Sequence, residues 1–374
     1  MRGFIFICFI GCAVASLKDL GYPNWQCDSN VMRKSAKVPK NVNSVRYGDI
    51  KVIGALGDSL TAANGAGASK GDAVAVILQY RGLAFQIGGD KSLDEHVTIT
   101  NVLRKFNPNL VGYSKGIGSA NVWEVSELNQ AIPGAETKDL VGQARILVQL
   151  MKKHSEINVQ EDWKLVNIFI GANDMCAYCG TNGTGAYDPK VFKQNIIDAV
   201  KVLQDSLPRT IVSLTGMMDM GMLRTIDRKK YFCDGLHVFE CPCEKKASFT
   251  NDDISAACHL EMNAEQQIQD QRVFDTEDFT FVIQPFLNNL TTPPMTPDGE
   301  VDLTWFAPDC FHFSQFGHAN IGKHLWNTII QPVGAKQTSV NLSDPTIPLR
   351  CPDASCPFFR TVQNSKDCSK YMTN

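Results

Sequence analysis

The sequence lacks three features that would each assign it to a common class of protein. Its 374 residues carry a formal net charge of only −3, and no basic patch or stripe of the kind that nucleic-acid-binding proteins display is visible. No apolar run approaches the roughly 20 residues needed to cross a bilayer, and the polar end SKYMTN does not fit a lipid-anchor signal. We therefore expect no nucleic-acid partner and no membrane anchor.

The first residues are typical of a secretory signal peptide. Arg2 provides a positive start, residues 4–10 form a short apolar stretch, and Ala13-Val14-Ala15 supplies small residues for cleavage. The alternative interpretation is a buried first helix. We expect residues 1–15 to be removed and the mature protein to be secreted.

Export changes the interpretation of the cysteines. Cys176-Ala-Tyr-Cys179 and Cys241-Pro-Cys243 would suggest zinc or redox chemistry in a cytosolic protein, but an oxidising compartment favours disulfides. Eleven of the 13 cysteines remain after cleavage of the signal. This odd number leaves at least one thiol free or paired between molecules.

Two disulfides are suggested by position along the chain. Cys27 precedes the first predicted strand and Cys351 follows the last predicted helix, so a bond between them would join the two ends. Cys356 and Cys368 could close a small terminal loop. Three N-x-[ST] sequons add expected glycosylation sites, at Asn182, Asn289 and Asn341.

Strand-like and helix-like segments alternate after a polar N-terminal arm at residues 16–48. Five segments read as strands: Asp49–Leu56, Asn109–Tyr113, Trp163–Ile170, Arg209–Leu214 and Asp278–Gln284. Four have helical periodicity: Thr137–His154, Pro189–Leu207, Ile254–Phe274 and Ser314–Ile330. This alternation predicts an α/β fold, a parallel sheet covered by helices on both faces. The domain should span 49–335, with a Cys-rich insertion around 231–249 and a Cys-containing extension at 336–374.

Polar clusters follow three of the predicted strands or the loop after them. They are GDSL at 57–60, GAND at 171–174 and PDCFH at 308–312. Ligands of parallel α/β sheets bind at the carboxyl ends of the strands. A serine, an amide and an Asp/His pair should therefore converge at one edge of the sheet.

This set suits acyl transfer. The Ser59 hydroxyl needs an adjacent base, which His312 could provide while Asp309 orients the imidazole. The developing oxyanion needs hydrogen-bond donors, and the candidates are the Ser59 N–H, the Asn173 side chain and the backbone of Gly134. The chemistry requires no metal or cofactor, and no cluster of metal ligands is visible.

Alternatives exist for each assignment. GYSKG at 112–116 fits the G-x-S-x-G pattern of a nucleophile elbow, which would make Ser114 the nucleophile, but no helical stripe follows it. Ser59 could be only a helix N-cap and Asn173 only a turn residue. His318, as a packed residue, and His324, as a surface residue, are weaker candidates for the base because neither has an aspartate three residues upstream.

Four blocks, in order, resemble the signature of the GDSL, or SGNH, hydrolase family: GDSL at 57–60, the N-x-A-x-x-G-A loop ending at Gly134 and Ala135, GAND at 171–174 and DCFH at 309–312. The stretches ALGDSLTAANGA and DCFHFSQFGHANIGKHLWN resemble the animal phospholipase B branch. The resemblance implies a flavodoxin-like three-layer α/β/α sandwich with Ser59, Asp309 and His312 as the triad. It also implies Ser59, Gly134 and Asn173 as the oxyanion hole.

The expected function is hydrolysis of fatty-acyl esters of phospholipids and lysophospholipids, at a membrane or micelle surface and without a stable protein partner. The substrate class rests on the resemblance alone. Two other functions remain open: a GDSL esterase acting on other lipid or sugar esters, and a secreted lipid-binding protein on an inactive hydrolase scaffold.

Overall fold

A computed structural model of the chain describes residues 17–72, 74–227 and 231–372. The predicted signal peptide therefore lies outside the described residues. Four parallel strands form one sheet in the order β1-β2-β3-β4: Ile50–Gly57, Trp163–Phe169, Thr210–Thr215 and Phe279–Gln284. Nearly every strand residue is buried, as expected for a parallel sheet covered on both faces. The α/β prediction is confirmed.

The prediction of five strands is wrong in number, because the segment Asn109–Tyr113 forms only an isolated parallel bridge between Val111 and Val52. Gly112, the residue after Val111, has a φ of +93° and turns the chain away from β1. A second short segment then continues along the same edge, where Asn129 bridges Ala55. The fifth position of the sheet is thus occupied by two short pieces instead of one strand.

Eight α-helices are used below: α1 Ser59–Ala62, α2 Ile99–Phe106, α3 Leu140–Lys153, α4 Ala172–Tyr178, α5 Pro189–Ser206, α6 Tyr231–Glu240, α7 Asn251–Gln271 and α8 Gln315–Ile329. Shorter α-helical turns span Ser29–Met32, Trp123–Ser126, Leu223–Ile226, Pro242–Lys245 and Val362–Lys366. The four long helices that periodicity predicts are all present. Their bounds differ from the predictions by a few residues. The predicted start of α3, Thr137–Asp139, forms a 3₁₀ turn directly before the helix begins at Leu140.

Two apolar layers enclose the sheet. On one face, Leu147 of α3 and Ile196 of α5 pack with Val52 and Leu56 of β1. On the other face, Val102 of α2 and Leu325 of α8 join a larger cluster that contains alternate residues of the strands. Side chains alternate along each strand, which divides the core between the two faces of the sheet. One layer of helices therefore covers each face.

The two ends of the described chain lie together on the larger core cluster. The predicted bond between Cys27 and Cys351 is present, and the indole Nε1 of Trp25 donates to the Leu349 carbonyl at 2.9 Å. The predicted bond between Cys356 and Cys368 is present as well. The odd thiol is Cys258, which is buried in α7.

Candidate active site

Ser59 is the first residue of α1, at the carboxyl end of β1. A side chain on Gly57 would meet the Phe169 carbonyl oxygen at 2.4 Å, so the chain can turn here only with glycine. The carboxylate of Asp58 accepts from the Leu60 N–H at 2.9 Å and caps the helix. The N-cap is therefore Asp58, and the interpretation of Ser59 as the cap is wrong.

A continuous hydrogen-bond chain joins the three predicted triad residues. His312 Nε2 lies 2.8 Å from Ser59 Oγ, and His312 Nδ1 lies 2.6 Å from Asp309 Oδ2. All three side chains are buried, with Asp309 fully so. The arrangement can transfer a proton from the hydroxyl to the imidazole, because each partner is within hydrogen-bond distance of the next.

One tight turn presents both members of the Asp/His pair. The second oxygen of Asp309 accepts from the backbone N–H groups of Phe311 and His312, each at 3.0 Å. Cys310, between Asp309 and Phe311, adopts a left-handed backbone conformation with a φ of +61°. This conformation folds the loop so that a separation of three residues places the carboxylate against the imidazole.

The charges of the pair stabilise each other. Burial alone would raise the pKa of Asp309, but the nearby His312 and the hydrogen bonds outweigh it and lower the pKa. Burial alone would lower the pKa of His312, but the Asp309 charge raises it instead. Burial raises the pKa of Asp58 to about 7, even though its hydrogen bond from Leu60 and the charge of His312 lower it.

The loop that carries Gly134 is held against β1. Gln130 N–H donates to the Ala55 carbonyl at 2.9 Å, and Ile132 N–H donates to the Gly57 carbonyl at 3.1 Å. Gly134 follows with a φ of +79°, a conformation that favours glycine. The Gly134 loop therefore lies beside the turn that presents Ser59.

Asn173 lies in the first turn of α4 and connects to the same loop. Its amide nitrogen donates to the Ala135 carbonyl at 2.9 Å. Asp174 contacts a residue outside its own turn, because its carboxylate accepts from both the N–H and the hydroxyl of Thr137. Two neighbouring residues of GAND thus fix the position of the loop between Gly134 and α3.

The alternative candidates Ser114 and His318 form hydrogen bonds outside the triad. Ser114 is fully buried, and its hydroxyl donates to the Arg81 carbonyl at 2.7 Å. His318 is buried against Phe85, and its Nδ1 accepts from the Phe85 N–H. His324 is also buried, so the expectation of a surface position was wrong. Burial lowers the pKa of each histidine to about 3, which favours the neutral ring.

The Cys-rich stretch contributes contacts to the site that sequence reasoning missed. In α6, Cys233 is disulfide-bonded to Cys310, and His237 Nε2 lies 2.9 Å from the Asp309 carbonyl oxygen. The Glu240 carboxylate lies within 4.8 Å of the nearest atoms of Asp309 and His312. One helix thus braces the whole Asp/His turn, and the only sequence signal for it was the concentration of cysteines.

The two short cysteine motifs pair with each other. Cys176 is bonded to Cys241 and Cys179 to Cys243, which fastens the Cys-rich stretch to the end of α4. These four sulfurs are therefore structural, in agreement with the disulfide interpretation.

A buried ionic cluster includes His237 of α6. Asp227, His237 and Glu244 bring three ligand-type atoms close together. The Lys245 ammonium contacts Asp227 and lies 3.2 Å from Glu244. An ammonium group therefore already balances the carboxylates at the position where a cation would bind.

An apolar cavity adjoins the triad. It has a volume of about 30 Å³, and Leu60, next to Ser59, and Phe311, next to His312, contribute to its wall. Three methionines also line it, Met218, Met220 and Met222. Thioether side chains are flexible and fill irregular space, so this wall can adapt to an apolar group that enters.

Among the residues that the structure describes, no helix is both long and apolar enough to cross a membrane.

The family described as GDSL-like Lipase/Acylhydrolase matches residues 53–325. A human protein named "Phospholipase B1, membrane-associated" is 41% identical over 342 residues, which cover 88% of this chain and 23% of the relative. The mouse protein of the same name is 40% identical over 337 residues, covering 88% and 22%.

The chain thus spans less than a quarter of the length of these relatives. A solved GDSL-like lipase from Parabacteroides merdae aligns with 74% of this chain and 94% of its own, at 12% identity and a TM-score of 0.35, which is too weak to support an argument. The family match and the identity of 40–41% confirm the resemblance found in the sequence. The chain belongs to the GDSL-like lipase/acylhydrolase family of carboxylic ester hydrolases, on its phospholipase B-like branch.

Proposed function

We propose that the chain is a secreted serine acylhydrolase that releases fatty acids from phospholipids and lysophospholipids. The observation that carries the proposal is the hydrogen-bond chain from Asp309 through His312 to Ser59. The names of the relatives add the substrate class, since both are phospholipases B. Because the chain spans only part of those proteins, their activity is a proposal for it.

The first half-reaction would acylate Ser59. As Ser59 Oγ bonds to the ester carbonyl carbon, its proton passes to His312 Nε2, and Asp309 stabilises the imidazolium that forms. The ester C–O bond then breaks, and the departing alcohol takes the proton from His312. An ordinary serine hydroxyl is a weak nucleophile, so this transfer is the main contribution of the triad.

The second half-reaction would use water. His312 accepts a proton from the water as its oxygen attacks the acyl carbon, and the Ser59 Oγ–C bond breaks as the proton returns to Ser59. A free fatty acid leaves and the triad is restored. The same imidazole therefore acts as base and acid in both halves.

The oxyanion would be stabilised by donors from three elements. An amide nitrogen carries two N–H groups, so Asn173 can donate to the Ala135 carbonyl and to an oxyanion at the same time. The backbone N–H groups of Gly134 and Ser59 are the proposed companions. Each such donor contributes about 2.7–4 kcal/mol to the barrier reduction in a comparable enzyme.

The apolar cavity beside Ser59 favours a fatty-acyl ester over an acetylated sugar. Its wall is apolar and contains Leu60, Phe311 and three methionines, and it presents almost no polar surface to hydroxyl groups. A fatty-acyl chain has no hydrogen bonds to satisfy, whereas a buried sugar hydroxyl without a partner is unfavourable. The first methylenes of the acyl chain would pack here once the methionines move aside.

The decisive experiment compares fatty-acid release by wild type, Ser59→Ala and Ser114→Ala, with phosphatidylcholine and lysophosphatidylcholine as substrates. We expect Ser59→Ala to lose at least about 10³-fold in kcat, and Ser114→Ala to remain active if it folds. Loss of activity only in a folded Ser114→Ala protein would contradict the triad. Hydrolysis of acetylated sugars but not of lipids would leave the triad and replace the substrate.

An inactive binding scaffold is the remaining alternative, and a fluorophosphonate probe distinguishes it. The probe forms a covalent bond with an activated serine, so wild type should be labelled and Ser59→Ala should not. Absence of labelling on folded wild type would favour the binding protein.

Export is supported by the five disulfides among the described residues, because disulfides form in oxidising compartments. The proposed glycan acceptors Asn182, Asn289 and Asn341 are all exposed. Expression of the full chain in animal cells should yield protein in the medium, with a mass that falls after enzymatic removal of N-glycans. Retention of all the protein inside the cell would contradict secretion.

A further inference from the structure

Large apolar side chains are exposed around the proposed active site. Val74 and Ile77 are 75% and 71% exposed, and Phe232 and Phe239 of α6 are 53% and 85% exposed. Ile132, two residues before Gly134, is 44% exposed. An isolated exposed apolar residue needs no explanation, but a contiguous group of them marks a surface that meets something apolar.

These residues belong to three segments at the carboxyl ends of the strands: the segment with Val74 and Ile77, helix α6, and the Gly134 loop. The segment with Val74 and Ile77 lies against Gly65, because a side chain on Gly65 would meet both Val76 and Ala307. Ala307 begins the turn that carries Asp309. The third segment is the Gly134 loop, whose Ile132 N–H donates to the Gly57 carbonyl.

A groove of about 360 Å³ runs between the first two segments. One wall contains Ala68 and Gly71, the other contains Phe232 and Cys233, and Pro308 and Cys310 of the Asp/His turn form part of its floor. The described residues that line it are apolar or small except Lys70. Phe232 therefore connects the exposed apolar residues of α6 with the turn that holds Asp309 and His312.

We propose that this apolar rim, formed by Val74, Ile77, Ile132, Phe232 and Phe239, docks the protein onto the surface of a zwitterionic phospholipid aggregate. The inference rests on the proposed function, because a long-chain phospholipid is packed in a membrane or micelle and must reach Ser59 from there. Rim side chains that insert between the headgroups and the acyl chains would hold the groove against the lipid surface. Among the described residues that line the groove, Lys70 is the single basic one, which favours a surface without net charge, since anionic lipids are recognised by clusters of Lys and Arg.

A second copy of this chain is the main competing occupant. Phe232 of the rim lines the groove beside the Asp/His turn, so a dimer formed through the rim would cover the groove. Lipid docking and catalysis need the same orientation, whereas self-association through this face excludes substrate. We therefore commit to the lipid surface and make self-association an outcome of the test.

The binding test uses the inactive Ser59→Ala protein, so that it does not depend on catalysis. Flotation with phosphatidylcholine vesicles is compared for this protein, for a version that adds Ile77→Ser and Phe239→Ser, and for a control that adds Val38→Ser and Val273→Ser. The control residues are 58% and 56% exposed. Both lie near the amino ends of the strands, since Pro39 accepts from Trp163 at the start of β2 and Phe274 packs on Phe279 at the start of β4.

We expect the rim variant to bind vesicles roughly tenfold or more weakly, and the control to change less than twofold. In the active protein, the rim substitutions should reduce hydrolysis of vesicle phosphatidylcholine about as much as binding. Hydrolysis of a dissolved short-chain ester should stay within twofold, which also shows that the variant is folded. Salt should have little effect on vesicle binding.

Three results would overturn the docking face: equal vesicle binding by the rim variant and the control, binding only to anionic vesicles, or a dimer that the rim substitutions dissociate. Failure of the proposed function has a different signature. In that case wild type would hydrolyse neither the dissolved ester nor the vesicle lipid, while flotation of the Ser59→Ala proteins would still decide whether the rim binds lipid.

Discussion

His312 faces three carboxyl groups from three different parts of the chain. Asp309 makes the short hydrogen bond, Glu240 of α6 lies within 4.8 Å of the pair, and Asp58 acts through its charge. Burial and the Asp309 charge raise the pKa of Glu240 to about 7, and burial raises that of Asp58 to about 7. Near neutral pH, only Asp309 is therefore firmly ionised, which makes it the group that orients and charges the imidazole.

Asp309→Asn tests that role. The amide preserves the size of the side chain, but it cannot stabilise the imidazolium or select the tautomer with a proton on Nδ1. We expect kcat to fall about 10⁴-fold with a small change in KM. Asp58→Asn is the matched control, because asparagine caps a helix as well as aspartate, and it should cost less than about tenfold. Equal losses in the two variants would contradict the assignment of Asp309.

Glu240→Gln should change the pH dependence of the reaction. The ionised Glu240 carboxylate stabilises imidazolium and so contributes to the raised pKa of His312. Without that charge the imidazole loses its proton at lower pH, and only the unprotonated form can accept the proton of Ser59. The acidic limb of kcat/KM should therefore move to lower pH.

The control for Glu240→Gln is Asp234→Asn on the same helix. Asp234 is exposed and pairs with Lys245. The substitution Asp234→Asn therefore removes the same negative charge from the helix, but at a position that does not contact His312. Its profile measured from pH 5 to 9 should match that of wild type. A profile for Glu240→Gln that also matches wild type would show that Glu240 does not influence the proton transfer.

Helix α6 holds the Asp/His turn in place through a disulfide and a hydrogen bond, so its position affects the geometry of the triad. Replacing both Cys233 and Cys310 by alanine removes the covalent tether but leaves the His237 contact. We expect kcat to fall roughly tenfold to hundredfold, because small displacements of reacting groups are costly. The free energy of unfolding should fall by about 2–4 kcal/mol.

Replacing Cys356 and Cys368 by alanine provides the comparison for that tether. This disulfide lies in the C-terminal extension, so its loss should reduce stability without reducing kcat. Thermal unfolding and initial rates measured on both double variants separate the two effects. The same loss of kcat in both would show that the α6 tether acts only through global stability.

Local patterns in the sequence predicted most of the regular elements, and they marked the serine and the Asp/His pair that the structure brings within hydrogen-bond distance of one another. The strands are buried apolar runs and the long helices have clear periodicity, so each could be identified from its own residues. The edge segment at 109–113 was misjudged because Gly112, with its positive φ, interrupts the pairing. The contacts of Glu240 and Cys233 depend on how a separate helix packs onto the turn, and no local pattern encodes that packing.

At the scale of the whole molecule, the buried carboxyl groups of Glu261 and Glu265 form no salt bridge with a cation of the described residues. Glu265 of α7 is almost fully buried, and it accepts from the Met217 N–H at 3.1 Å while its other oxygen has no hydrogen-bond partner among the described residues. Burial raises its pKa to about 8. The group is therefore protonated in the folded protein at neutral pH but ionised in the unfolded chain.

This difference fixes the sign of its effect on stability. The folded protein binds more protons at Glu265 than the unfolded chain does between about pH 4.5 and about pH 8, so the free energy of unfolding falls as the pH rises through that range. His318 and His324, with pKa values of about 3, act in the opposite direction below about pH 6.5. The contribution of Glu265 must therefore be measured as a difference between two proteins.

Glu265→Gln isolates that contribution, because glutamine is close in shape to the protonated acid and cannot ionise. Its oxygen can still accept from Met217. We expect it to match wild type to within about 1 kcal/mol at pH 5 and to exceed it by a few kcal/mol at pH 9, when wild type must ionise a buried group or retain a proton against the solvent. Denaturant unfolding at the two pH values measures this, with Asp270→Asn at an exposed site of the same helix as the control. If Glu265→Gln and wild type differed by the same amount at both pH values, Glu265 would have to be ionised in the folded protein and matched by a cation.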